Sequence, residues 1–197
     1  MEYNLTKKEI RLDRKINELD RFVLDFCRLL DEYVLVSGYV SIIFGRSRAT
    51  EDVDLLIPKM DIEEFSKRWE KIQNSGFECI NTTEINEALA ILNEGSNIRF
   101  SRKGKSIPNM EFKFIQNDIH KYSFGNKIKV IMKDETLYIS SLEMQIAYKL
   151  MLGKEGNRKD LEDAKHIYEL FKEKLNNEEL LKLIRELNSE KEFELIK

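Results

Sequence analysis

An acidic alternation inside an apolar strand constrains this chain more than any other feature. Residues 52 to 57 read Asp-Val-Asp-Leu-Leu-Ile. Side chains alternate along a strand, so Asp52 and Asp54 project to one face and Val53 and Leu55 to the other. Two carboxylates on one face repel each other unless a cation sits between them. Hard oxygen ligands at this spacing suit Mg²⁺ (or Mn²⁺), which keeps several waters and takes its remaining ligands from substrate phosphates. A solvated acidic edge strand would read the same way, so the upstream residues carry weight. Val34 to Val36 has the β-branched content of a buried strand, and Ser37-Gly38 breaks it where the chain must turn. An apolar segment from Tyr39 to Gly45 follows, then a basic, polar loop from Arg46 to Glu51.

Together these residues resemble a known signature. Ser37-Gly38, thirteen residues, then Asp52-Val53-Asp54 is similar to the motif of the nucleotidyltransferase (polymerase β-like) superfamily, a Gly-Gly or Gly-Ser turn followed by a D-x-D strand. The fuller string Gly38-Tyr39-Val40, Gly45 and Arg48-Ala49-Thr50-Glu51-Asp52-Val53-Asp54 resembles the AbiEii-type toxin and minimal nucleotidyltransferase branch, with Ser37 standing at the first glycine. The resemblance implies that Asp52 and Asp54 hold the metal and that a third carboxylate follows on a later strand. Glu111, in Met110-Glu111-Phe112-Lys113-Phe114-Ile115, is the candidate, as metal ligand or as general base for an incoming hydroxyl. Phe112 and Phe114 share the opposite face, which an ordinary half-exposed strand would also show.

The carboxy-terminal third reads as helical. Ser140 with Glu143 forms a capping box for a helix from about Leu142 to Leu152. At 100° per residue Leu142, Ile146 and Lys149 share a stripe edged by Leu150, which turns Lys149 inward. Such a lysine either snorkels along its stem to water or finds negative charge. A connector from Gly153 to Lys159 leads to a second helix near Asp160, with Ala164, Ile167, Tyr168, Phe171 and Leu175 on one face. Asp160 and Asp163 would serve as well to satisfy that helix's amino terminus. Lys149 followed by Arg158-Lys159-Asp160-Leu161-Glu162-Asp163 is, however, similar to the carboxy-terminal pattern of the AbiEii-type branch. The resemblance assigns Ser37, Gly38, Arg48, Thr50, Lys149, Asp160 and Asp163 to the nucleotide or its support.

Elsewhere the pattern is structural. A helix is expected from about Lys7 to Leu30 on the spacing of Ile16, Leu19, Phe22, Val23, Phe26, Leu29 and Leu30. Asp61 caps a helix with Ile62, Phe65, Trp69 and Ile72 that ends at Asn74-Ser75-Gly76. Phe77 to Ile80 and Asn97 to Ser101 read as strands around a short helix at 84 to 93. The basic loop Arg102 to Ser106 is either a solvated turn or a phosphate contact, and His120 and His166 have no partner at metal spacing. A net charge of −3, from 33 basic and 36 acidic residues, argues against a protein coated in nucleic acid. Cys27 and Cys79 read as buried free thiols of a reducing cytoplasm, and no apolar run approaches the ~20 residues of a membrane span.

The expected fold class is α/β: a small mixed β-sheet nucleotidyltransferase core with an amino-terminal helix (1–136) and a helical carboxy-terminal subdomain (137–197) closing the cleft. The expected function is metal-dependent transfer from an NTP to a hydroxyl of RNA such as tRNA, of protein or of a small molecule, in a toxin-like setting with an antitoxin-like partner. One rival is a degenerate relative that binds nucleotide or a partner protein without turnover. The other is a purely structural or antitoxin-like interaction protein.

Overall fold

The computed structural model describes every residue except Glu155. Chain order gives a hairpin, Glu2–Asn4 (β1) and Glu9–Leu12 (β2), then the helix Glu18–Cys27 (α1) and the strand Val34–Leu35 (β3). Helix Gly38–Ile43 (α2), strand Asp52–Ile57 (β4), helix Ile62–Asn74 (α3), strand Phe77–Cys79 (β5) and helix Ile85–Asn93 (α4) follow. Next come Ile98–Arg102 (β6), Asn109–Phe114 (β7), the helix Asp118–Gly125 (α5) and the hairpin Ile128–Met132 (β8) and Glu135–Ile139 (β9). The chain closes with Leu142–Gly153 (α6), Arg158–Phe171 (α7), Asn177–Glu186 (α8) and Glu190–Glu194 (α9).

Among the described residues nine strands join one mixed sheet in the order β1-β2-β8-β9-β3-β4-β7-β6-β5. The acidic strand lies in a parallel pair, β4 beside β7, with Asp52 opposite Asn109 and Asp54 opposite Glu111. Antiparallel β6 lies beyond β7, with Arg99 opposite Glu111. The odd–even pattern of β7 then divides the sheet. Phe112 and Phe100 pack edge to face against each other, Phe112 also against Phe26 of α1 and Phe100 against Trp69 of α3, while Phe26 meets Phe100 at a tilt. The other face carries the charged side chains.

The first turn of the chain departs from expectation. The helix begins only at Glu18, where Asn17 and Asp20 form a reciprocal capping box. Residues 9 to 12 alternate instead, with Ile10 and Leu12 buried and β2 running parallel to β8. Position 140 also differs: Ser141, not Ser140, accepts from the Met144 N–H and caps α6. Glu143 turns away to accept the Asn176 N–H at 2.9 Å, tying α6 to the start of α8. Asp61 caps α3 as its sequence position demands, and Gly76 ends it at φ 84°. The connector expected at 153 to 159 is shorter than expected, since α6 runs to Gly153 and α7 begins at Arg158, and Glu155 lies outside the described residues. β9 crosses residues 136 and 137 within the sheet, and the helical part starts at Leu142.

No described helix is long and apolar enough to cross a membrane. Cys27 and Cys79 are both buried and unbridged.

Candidate active site

β4 delivers Asp52 and Asp54 to the charged face of the sheet, Asp52 exposed at the strand's start and Asp54 partly buried. Register with β7 brings Glu111 beside Asp54 on that face. Burial, then the neighbouring Glu111 and Asp52 carboxylates, push the Asp54 carboxyl up to about 6, while Ser37 and Lys149 act to lower it. Loss of hydration is thus the main reason the Asp54 carboxyl stays protonated to higher pH, and the two carboxylates add to it. Thr50 donates to the Asp52 backbone oxygen at 2.7 Å and to its carboxylate at 3.1 Å, fixing the strand's first residue.

Ser37 sits at the turn into α2 with φ 61° and ψ −134°. Gln145 of α6 holds that backbone from both sides, accepting from the Ser37 N–H at 3.1 Å and donating to its carbonyl at 2.6 Å. Gly38 leaves room for a side chain rather than for open space: a Cβ there would stand 2.8 Å from Arg48 Nη2 and 3.0 Å from its Cζ. Arg48 thus lies flat on the turn.

Arg48 and Lys149 both face carboxylates. Lys149 is 2 % exposed and pairs with Asp160, with Asp163 at 3.3 Å. Asp163 is fully buried and also receives Arg48 and Arg46, while Arg46 reaches Glu162 at 2.9 Å. Three cations and three carboxylates therefore close one network across α6, α7 and the loop after α2. The inward lysine demanded by the helical phase is answered by the first two turns of α7.

Glu111 is equally engaged. Its Oε1 accepts from Arg99 Nε at 2.9 Å and lies 2.8 Å from Nη2, and its Oε2 accepts from Asn97. Tyr148 of α6 stands near the site, its hydroxyl pushed up by burial and then by Asp54 and Asp160. Arg99, Asn97, Gln145, Arg46 and Tyr148 were not among the residues picked from sequence. Arg46 had a signal in the basic loop, whereas the rest depend on strand register or helix packing. His166 lies apart, with Nε2 at 3.2 Å from the Phe44 carbonyl oxygen.

By sequence the chain matches no family model and no curated protein. Solved structures nevertheless match most of it. ANT(2'')-Ia in complex with adenylyl-2''-tobramycin superposes with a TM-score of 0.55 at 13 % identity, covering 87 % of this chain and 95 % of that one. The fold is a nucleotidyltransferase fold. A nucleotidyltransferase-like antigenic protein from Paracoccidioides brasiliensis gives a TM-score of 0.55 at 16 % identity over 84 % of this chain and 85 % of its own. The solution structure of ANT(2'')-Ia gives 0.55 at 12 % identity over 86 % and 90 %. Within this nucleotidyltransferase fold the acidic strand is β4 and the glycine turn opens α2.

The carboxylates fit a hard divalent cation. Asp54 resists ionisation first because it is buried and then because the Glu111 and Asp52 carboxylates adjoin it, and the second of these is the electrostatic condition a bound cation relieves. Among the described residues no group of three or more His, Cys, Asp or Glu is gathered closely enough to hold a metal by itself. Two aspartates with the balance from phosphates and water is the usual arrangement for Mg²⁺.

Proposed function

We propose that this chain transfers a nucleotidyl group from an NTP to a hydroxyl acceptor, with Asp52 and Asp54 holding Mg²⁺ or Mn²⁺. The observation that carries the reading is the acidic row on β4 and β7, Asp54 beside Glu111, on a nucleotidyltransferase fold. When bound, the ion neutralises charge on the α-phosphate and on the departing pyrophosphate. Glu111 takes the proton of the acceptor hydroxyl, whose oxygen forms the new bond to the α-phosphorus as the bond to pyrophosphate breaks. For that step Glu111 must leave Arg99 and Asn97, and nucleotide phosphates must draw Arg48 and Lys149 from Asp160 and Asp163. Ser37, Gly38 and Thr50 shape the turn and strand on which the phosphates rest, and residues 137 to 197 close the cleft. The AbiEii-type setting, a cytoplasmic toxin with an antitoxin-like partner, belongs to this reading through the order of Lys149, Asp160 and Asp163.

A second reading, nucleotide binding without turnover, is favoured by the same pairings, since Glu111, Arg48 and Lys149 are all neutralised internally. Incubation with each α-labelled NTP, Mg²⁺ and total cell RNA or protein separates the two. Label transfer that vanishes in Asp52→Asn and Asp54→Asn supports transfer. NTP binding without any pyrophosphate release supports the second reading, and full activity in either variant removes the two-aspartate site.

A further inference from the structure

We propose that the acceptor carries a phosphate beside its reacting hydroxyl, held by Arg99 and Lys113 on the open side of the sheet. The inference rests on the nucleotidyl-transfer reading and names the acceptor's class. Asp54, Glu111 and Arg99 occupy one row across β4, β7 and β6, each opposite the next. Residues opposite one another on adjacent strands project to the same face, so Arg99 shares the acidic face. A hydroxyl delivering its proton to Glu111 must come within about 3 Å of that carboxylate. Arg99 already touches the carboxylate, at 2.8 and 2.9 Å, so it adjoins whatever group neighbours the hydroxyl.

Accessibility separates Arg99 from the other cations of the site. Its side chain is 46 % exposed, against 11 % for Arg48 and 3 % for Lys149, which are committed to Asp160 and Asp163. Lys113 lies two residues beyond Glu111 on the same face, partly buried and without an ion pair among the described residues. Its charge reaches α5, where, after burial, it holds the His120 imidazole below its usual value. An anion arriving here meets two cations without opening a buried network, and a guanidinium grips phosphate through paired N–H donors. A polyamine acceptor would meet two like charges.

The test is equilibrium binding to the full chain. The probes are a short, fluorescein-labelled single-stranded oligoribonucleotide, adenosine 5'-monophosphate as competitor, tobramycin as a polyamine, and MgATP measured in parallel. The oligoribonucleotide should bind more weakly as salt rises. Arg99→Gln and Lys113→Gln should each weaken it about tenfold, the loss of one charge-assisted bond, with MgATP affinity unchanged. Because Arg99→Gln leaves Glu111 with Asn97 alone, the charge-balanced Arg99→Gln/Glu111→Gln serves as the second variant and should bind as weakly. Displacement by the monophosphate identifies a mononucleotide-sized acceptor, and its absence a polymeric one; both support the proposal. Binding of both phosphate probes that ignores Arg99→Gln, Lys113→Gln and the double variant overturns it. So does a tobramycin complex lost in Glu111→Gln, or MgATP binding with no binding of either phosphate probe, and in those cases nucleotidyl transfer itself survives. Failure to bind MgATP overturns both.

Discussion

Ser37 holds a backbone conformation that a side chain resists. Its φ of 61° with ψ −134° lies where glycine is at home, and Gln145 clamps the residue there through its own N–H and carbonyl. Holding a serine in this region costs about 1–3 kcal/mol, against less than about 1 kcal/mol of added unfolded-state freedom for glycine. Ser37→Gly should therefore raise the melting temperature by about 2–4 °C. It should also raise the Asp54 pKa further, because the Ser37 hydroxyl is among the groups lowering it. A lower melting temperature would mean that the hydroxyl's bond outweighs the backbone. Asp54 itself carries a pH dependence. Its carboxyl rises from 3.8 to about 6 in the folded chain. Below the lower value both states are protonated and nothing is lost. Between the two the unfolded chain ionises first, so folding weakens as pH rises, by at most about 3 kcal/mol above the upper value. In chelator, Asp54→Asn should match the wild type at about pH 3, gain on it between about pH 4 and 6, and keep a constant advantage above that. Denaturant titrations across that range check it, and parallel stability curves would remove the account of a buried carboxyl crowded by two others.

At the scale of elements, α6 and α7 are joined by charge as well as by packing. Asp160 depends on Lys149 and Asn157, whereas Asp163 keeps Arg46 and Arg48 when Lys149 is removed. Lys149→Met should thus cost about 3–5 kcal/mol, mostly through the stranded Asp160. Lys149→Met/Asp160→Asn should recover most of that loss, a coupling a denaturation cycle reads directly. Additive single-mutant losses would show that the two do not share an energy. Gly153 is the packing counterpart, since a Cβ there would lie 2.6 Å from Leu161 Cγ. Gly153→Ala should destabilise by about 1–3 kcal/mol as Leu161 is pushed from its place, with thermal melting as the check.

The amino-terminal hairpin matters to the whole molecule because it covers a sheet edge. β2 lies against β8 and buries Ile10 and Leu12, and without it β8 would present unpaired backbone groups to solvent. Deleting residues 1 to 12 should cost about 3–6 kcal/mol from those two side chains and cause concentration-dependent association. Melting and light scattering measure both. An unchanged melting curve would make the hairpin an appendage.

Short-range periodicity determined much of this protein. The acidic strand at 52 to 57, the cap at Asp61, the helix from Leu142 and the inward turn of Lys149 each follow from residues a few positions apart. Local spacing sets which face a side chain takes. It also places Asp160 and Asp163 one helical turn apart, where both meet Lys149. What it leaves open is which strand lies beside which. The pairing of Asp54 with Glu111 spans 57 positions and that of Glu111 with Arg99 spans 12, and both are settled by sheet register. Residues 9 to 12 show the same division: too few for their alternation to outweigh the helical spacing that follows, they become a strand because β8 offers them an edge. Only the tertiary structure turned Arg99 toward Glu111 and Gln145 toward Ser37, since the hydrogen bonds that select those neighbours form after the distant segments have packed.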